Sequence, residues 1–217
     1  MIAIAFALEF ESVHFRARHD NRLRVATWLL GAMGEEAARI LDKRLAETKP
    51  ALVISAGFAG GLQPELEVGS LVLGKNYSVP SLLEKLKLSP AWRVGDICTE
   101  SAIIEQAADK IRLGQETGGL AGDLETSHIA RVCAERAVPM LSVRCISDAL
   151  HDDMPVPADI LLNPKTYRPE PLLLFRYLLT NPKSVVPFNR LLKNAKTAQA
   201  QLAQGLEEIL PQLLTLV

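Results

Sequence analysis

Gly122-Asp123-Leu124-Glu125-Thr126-Ser127-His128 is the run around which the chain is organised. It lies inside a longer stretch, residues 119–148, where a short uncharged run ends in acid and a helical pattern starts at once. Ile129, Val132 and Cys133 recur at i, i+3 and i+4, the spacing of one buried helix face. Residues 138–146, Val-Pro-Met-Leu-Ser-Val-Arg-Cys-Ile, then read as a buried strand that runs into Ser147-Asp148. Two carboxylates, Glu125 and Asp148, therefore sit where a strand gives way to a turn or helix. In open α/β sheets, ligands bind at the carboxyl ends of the strands.

Working outward, the 217 residues are 48% hydrophobic and 23% charged, which suits one domain over residues 1–217 with a sizeable core. Lys and Arg number 24 against 25 Asp and Glu, and no basic block marks a nucleic-acid footprint. Cys98, Cys133 and Cys145 lie in apolar runs without metal-ligand spacing, which fits buried thiols in a reducing cytoplasm. Residues 1–8 are apolar but meet Glu9 and Glu11 too early for a signal peptide. No stretch reaches the length of a membrane span. The expectation is a soluble cytoplasmic protein.

Residues 2–8 read as a central strand and residues 12–18 as the start of a helix, with Glu9 and Glu11 as simple dipole-capping acids on the bland reading. His14, His19 and Asp20 are too scattered to argue a metal site. A second strand is expected over 23–30, an amphipathic helix over 34–47 and a third strand over 51–55. Residues 56–62, Ala-Gly-Phe-Ala-Gly-Gly-Leu, read as a glycine-rich turn whose positive φ angles and exposed N–H groups would let a ligand approach. This run is neither a P-loop nor a dinucleotide fingerprint. A fourth strand over 70–74, a short helix over 81–88, a strand over 95–98 and a helix over 105–113 follow. The alternation argues an α/β fold with a largely parallel sheet.

After Asp148 the character changes. Residues 151–171 hold five of the 13 prolines and read as an irregular loop or lid. The segment 172–217 reads as three helices, over 172–179, 185–193 and 195–210. Its dense apolar cluster, with Arg176, Lys183, Arg190, Lys193 and Lys196 nearby, fits a cap on the sheet or on a second subunit. A membrane-surface helix is the sharper alternative, and the balanced overall charge favours the cap.

Three blocks carry a resemblance: Ser-Ala-Gly-Phe-Ala-Gly-Gly-Leu at 55–62, Gly-Asp-Leu-Glu-Thr-Ser at 122–127 and Val-Arg-Cys-Ile-Ser-Asp at 143–148. In order and spacing they resemble the nucleoside phosphorylase/nucleosidase family, which includes methylthioadenosine/S-adenosylhomocysteine nucleosidases and purine nucleoside phosphorylases. The Pro-rich, helical tail resembles the hopanoid-associated phosphorylase branch. The resemblance implies a three-layer α/β/α sandwich around a mixed, mostly parallel sheet, and cleavage of the bond between a ribose and a purine.

It also implies roles. Asp148 would protonate the purine N7, with its pKa raised by desolvation in an apolar strand end. Glu11 would position and deprotonate the attacking water. Glu125 would hold the ribose hydroxyls, with Leu124, where the family has Met, packed under the sugar. Arg144, Phe58, Ala59 and Gly60 would line the nucleophile or phosphate side, and Thr99, Ser101 and Ser147 the base pocket. Phe58 replaces a Ser or Thr that would bind phosphate, so water is the first expected nucleophile and phosphate the alternative co-substrate. A non-catalytic nucleoside binder is a further alternative. No metal or organic cofactor is implied, and the resemblance points to a homodimer.

Overall fold

The computed structural model of the protein describes residues 1–18 and 24–217. β1 (Ile2–Phe6) is apolar at every position and buried on both faces, as a central parallel strand must be. It pairs in parallel with β2 (Val25–Leu29) on one side and β3 (Leu52–Gly61) on the other. β3 pairs in parallel with β8 (Met140–Asp148), the strand that runs into the second carboxylate. β8 in turn pairs antiparallel with β4 (Leu71–Gly74), and β4 pairs in parallel with β5 (Trp92–Gly95). The order is β2-β1-β3-β8-β4-β5. Two short strands leave this path: β7 (Ala121–Asp123) pairs antiparallel with the end of β3 and in parallel with β6 (Ile97–Thr99).

The period-2 alternation of the strands makes the layers. Ile2, Ile4, Phe6, Leu52, Ile54, Leu141 and Val143 join a core with Phe15 of α1 (Glu9–Arg18) and the inner face of α8 (Val185–Leu216). Ala3, Ala5 and Val53 pack the other way, against α2 (Gly34–Glu47) and α5 (Thr126–Glu135). The three-layer α/β/α sandwich with a mixed, mostly parallel sheet is the architecture expected from the sequence.

Several elements differ from their sequence reading. The first helix starts at Glu9 and so includes both acids. The start of the second strand at Leu23, with His19 and Asp20, lies outside the described residues. The strand expected over 95–98 is two strands, β5 and β6, and the helix expected over 81–88 shortens to α3 (Pro80–Leu83). The helix of residues 105–113 is shifted to α4 (Ala107–Thr117) and stops at Gly118, whose φ of 68° supplies the left-handed cap. The Pro-rich segment contains a short α6 (Ala158–Leu161). It is tied to α4 where Asp153 accepts from the Ala107 N–H and Glu105 accepts from the Ala158 N–H. Beyond α7 (Pro171–Thr180), the two helices expected either side of Asn194 are one. Asn is tolerated mid-helix when the face beneath it is packed, and Phe188, Ala198, Leu202 and Leu206 are buried along α8.

The largest correction concerns residues 56–62. They are not a turn: β3 continues through them as a ten-residue strand, and none of Gly57, Gly60 and Gly61 has a positive φ. Glycine is needed there for space. A Cβ on Gly57 would lie 2.8 Å from Glu11 Oε1, and one on Gly60 would lie 3.1 Å from Asp148 Oδ2.

Candidate active site

β3 is thus the wall to which two carboxylates are fitted. Gly57 and Gly60 are three residues apart, roughly 10 Å along an extended strand. Glu11, in the first turn of α1, is buried and accepts from the N–H groups of Leu8 and Phe58 at 2.9 Å each. The Leu8 bond is one half of a capping box, so Glu11 does cap α1, but its burial and its bond to Phe58 across on β3 go beyond a surface cap. Burial raises its pKa above the ordinary carboxylate range, although both N–H groups and the Arg144 charge pull the other way. A buried, more basic carboxylate oriented by two backbone donors is suited to taking a proton from water.

Asp148 stands at the end of β8, just past a bulge where the register with β3 slips between Ala59 and Gly60. Such an irregularity re-aims the next side chain. The apolar surroundings expected for Asp148 are not what it meets. The Lys110 ammonium, fully buried on α4, donates to Asp148 Oδ2 at 2.8 Å and to the Ala149 carbonyl at 2.6 Å. Ser147 donates to Asp148 Oδ1 at 2.8 Å. The Asp148 side chain remains 20% exposed and borders a shallow cleft lined by Asp152, Met154, Pro187, Arg190 and Asn194.

Lys110 is the residue that sequence reasoning missed. A signal existed: Lys110 and Gly114, four residues apart, form the buried face of α4, so a cation occupies a position where helical periodicity calls for an apolar or small side chain. Gly114 allows that face to come close, since a Cβ there would meet the Leu62 carbonyl oxygen at 2.3 Å.

Glu125 is the residue before α5 and is buried. Its side chain makes no capping hydrogen bond to that helix. Its pKa is pushed up to about 8, first by burial and then by the charges of Asp123 and Glu11. Two acids with raised pKa values therefore share one buried region. Leu124 beside Glu125 is half-buried.

Arg144 requires a correction. It was expected to line the nucleophile side, but it is 2% exposed and all five of its N–H groups are bonded within the protein. Nε donates to Asp123 Oδ2 at 2.6 Å, Nη1 to the Ser55 and Val143 carbonyls, and Nη2 to the Ser55 and Thr126 hydroxyls. Its charge still reaches Glu11 and Glu125, but it has no donor left for an anion. Thr99 is likewise occupied: its hydroxyl donates to Asp123 Oδ1 and accepts from the Ser127 N–H. It buttresses α5 with Asp123, so its hydroxyl has no free hydrogen for a base. Ser101 is exposed just beyond β6, and Ser147 orients Asp148.

Phe58 is half-buried with its ring edge-on to Phe10 at 5.3 Å, and its N–H is committed to Glu11. Ala59 and Gly60 continue the same strand, where Ala59 pairs with Ile146 and Gly60 with Asp148. The anion-binding amides expected of a glycine turn are therefore not formed at Phe58. Cys133 and Cys145 are buried thiols whose pKa values are pushed up to about 12 by burial, and Cys98 is half-buried. Among the described residues, no group of three or more His, Cys, Asp and Glu side chains could hold a metal ion.

Comparison with known proteins bears on the fold. Residues 79–168 match the model of the phosphorylase superfamily. No curated protein matches the chain in sequence. Among solved structures, the chain is similar to the 5′-methylthioadenosine/S-adenosylhomocysteine nucleosidase of Neisseria meningitidis in complex with methylthio-immucillin-A. The TM-score is 0.71 at 19% identity, over 97% of this chain and 98% of that one. A putative nucleosidase of the same kind from Borrelia burgdorferi, bound to adenine, gives a TM-score of 0.68 at 17% identity over 98% and 100%. The futalosine hydrolase of Helicobacter pylori gives 0.63 at 14% identity over 97% of each chain. The sequence match to the phosphorylase superfamily is carried by residues 79–168, and the fold match runs over nearly the whole length.

Proposed function

We propose that the protein is an N-ribosyl hydrolase that cleaves the N-glycosidic bond of a purine nucleoside of adenosine type, substituted at the ribose 5′ position. One observation carries the choice of water over phosphate. The donors that a phosphate would need are already spent: the Phe58 N–H on Glu11, and all five Arg144 N–H groups on Asp123, Ser55, Val143 and Thr126. A buried carboxylate in their place repels a phosphate and suits a water. The solved structures of similar fold bound to a nucleoside analogue or adenine support the substrate class.

In this reading Glu11 takes a proton from water as the oxygen attacks C1′. The C1′–N9 bond breaks with its electron pair passing to the base, and Asp148 delivers a proton to N7. Lys110, hydrogen-bonded to Asp148 Oδ2, holds that carboxyl in place, and solvent reaching its exposed side through the cleft returns the proton. Cleavage passes through a cation-like sugar, and buried acids beside that sugar stabilise it. Glu125, with its pKa near 8, is the group whose ionisation such a cation favours most strongly. Leu124 packs under the ribose, and Ser147 keeps Asp148 aimed.

The test is mass-spectrometric analysis of purified protein incubated with adenosine, inosine, methylthioadenosine, S-adenosylhomocysteine and a longer 5′-alkyl adenosine, with and without phosphate. Free base and free sugar in the absence of phosphate support hydrolysis. A strict need for phosphate with a sugar 1-phosphate product overturns it in favour of phosphorolysis. Saturable binding without turnover overturns it in favour of a nucleoside-binding protein.

A further inference from the structure

The long C-terminal helix α8 does what a cap on the sheet should do, burying Ala198, Leu202, Leu206, Ile209 and Leu213. α7 does not. None of its residues is buried, although seven of its ten are apolar. Leu172, Phe175 and Leu179 recur at i, i+3 and i+7, so they form one stripe on one side of the helix, and they are 73%, 58% and 66% exposed. Val186, at the start of α8, adds a fourth apolar side chain at 78% exposure. Exposed apolar side chains scattered singly need no explanation, but a stripe on one helix does.

The charge around this stripe decides what covers it. The whole chain has 24 Lys and Arg against 25 Asp and Glu, yet residues 158–206 hold seven Lys or Arg and two acids, Asp159 and Glu170. Arg190 is paired with Asp152. The exposed Arg176, Lys183, Lys193 and Lys196 are in no ion pair among the described residues. Arg176 is one turn from Leu172 on the same side of α7, where its aliphatic stem can lie along an apolar phase with its guanidinium at the boundary.

A second copy of the chain is a poor fit. Two-fold contacts bring the same patch against itself, so these cations would face one another with only Asp159 and Glu170 to offset them. An interior apolar face with a basic rim is instead what an anionic bilayer surface complements. We propose that α7 and the start of α8 form a docking surface for anionic lipid membranes, lying in the interface without crossing it. No helix among the described residues is long and apolar enough to span a bilayer.

The experiment is co-sedimentation of the full-length protein with vesicles of phosphatidylcholine alone, and of phosphatidylcholine mixed with phosphatidylglycerol. Binding to the mixed vesicles, weakened by salt and much weaker on phosphatidylcholine alone, is expected. Lys183→Gln with Lys193→Gln should lower partitioning at least tenfold, since each interfacial cation contributes about fivefold. Leu172→Ser with Phe175→Ser and Leu179→Ser should abolish it with an unchanged circular dichroism spectrum, because all three side chains are exposed. If the triple variant misfolds, the lysine pair still decides the matter. Failure of the intact protein to sediment with anionic vesicles overturns the proposal. So does a fall in the assembly's mass on making the serine variant, which would assign the stripe to a second copy. Neither readout depends on turnover, so this proposal stands or falls apart from the proposed reaction.

Discussion

β8 carries a basic–acidic pair near each end of its last turn of sequence, and the two pairs behave differently. Arg144 and Asp123 are 2% and 1% exposed, and every donor of the guanidinium is met. Lys110 is 1% exposed but its partner Asp148 is 20% exposed and opens on a cleft. The first pair is sealed into the layer between the sheet and α5, where it holds Ser55, Thr126 and Val143 in register. The second is sealed on one side only. A closed network positions other groups; a half-open one can exchange a proton with something that enters. The comparison separates architecture from chemistry at residues four apart on one strand.

The largest effect should come from breaking the sealed pair. Arg144→Met leaves Asp123 buried without its cation, a loss on the order of 3–5 kcal/mol. For a chain of this size that lowers the melting temperature by roughly 6–20 °C, measurable by calorimetry. A melting temperature within a degree or two of wild type would show that Arg144 is not the structural hub described above. At the open pair, Asp148→Asn should act chiefly on turnover, which falls by about 10²–10⁴; some stability goes too, because the buried Lys110 loses its anion, though less than at the sealed pair since Asp148 is 20% exposed. Steady-state kinetics on the substrate found by the product analysis check this, and an active Asn variant would remove Asp148 from the reaction.

The pairing was only partly legible beforehand. The motifs at 122–127 and 143–148 announced Glu125, Arg144 and Asp148, because their residue types stand out in apolar runs. What sequence could not reveal was who spends whom. Arg144 looks like an anion-binding residue until Ser55, Thr126 and Asp123 are seen to consume its donors. Lys110 is invisible in a helix of ordinary composition, since only the packing of α4 against the end of β3 shows that its side chain points inward. The glycines at 57, 60 and 61 were read as a turn because glycine serves both for positive φ and for close approach, and composition does not say which. The fold was legible from the alternation of strand and helix patterns. α8 was misread as two helices because Asn194 lowers local propensity, while burial of Ala198 and Leu202 overrides it.

Glu125 gives a smaller effect with a definite sign. Its folded pKa, about 8, lies above the ordinary carboxylate value, so folding takes up a proton between roughly pH 4.5 and 8. The contribution of the Glu125 carboxyl to stability is fully present below that window and is lost as pH rises through it. Glu125→Gln lacks the charge, so its advantage over wild type should be small at the acid end and widen towards pH 8, by at most about 1.4 kcal/mol per unit. Melting curves across this range decide it, and an advantage that shrinks with rising pH would contradict the burial argument. Turnover of the same variant should fall, because the ribose loses an ionisable partner.

The smallest effect probes the fit of Glu11 to β3. A Cβ on Gly57 would stand 2.8 Å from Glu11 Oε1. Gly57→Ala should therefore displace that carboxylate and slow turnover about tenfold or more, with a stability change of about 1 kcal/mol. Unchanged kinetics would mean that the position of Glu11 is not critical.

The most direct test of the difference between the two pairs is the pH–rate profile of Lys110→Met beside that of wild type. The account predicts a folded variant whose kcat is at least about tenfold lower across the profile, because Asp148 has lost the cation that holds it in place. An unchanged profile and unchanged kcat would show that Lys110 only fills space, and that the open pair is as architectural as the sealed one.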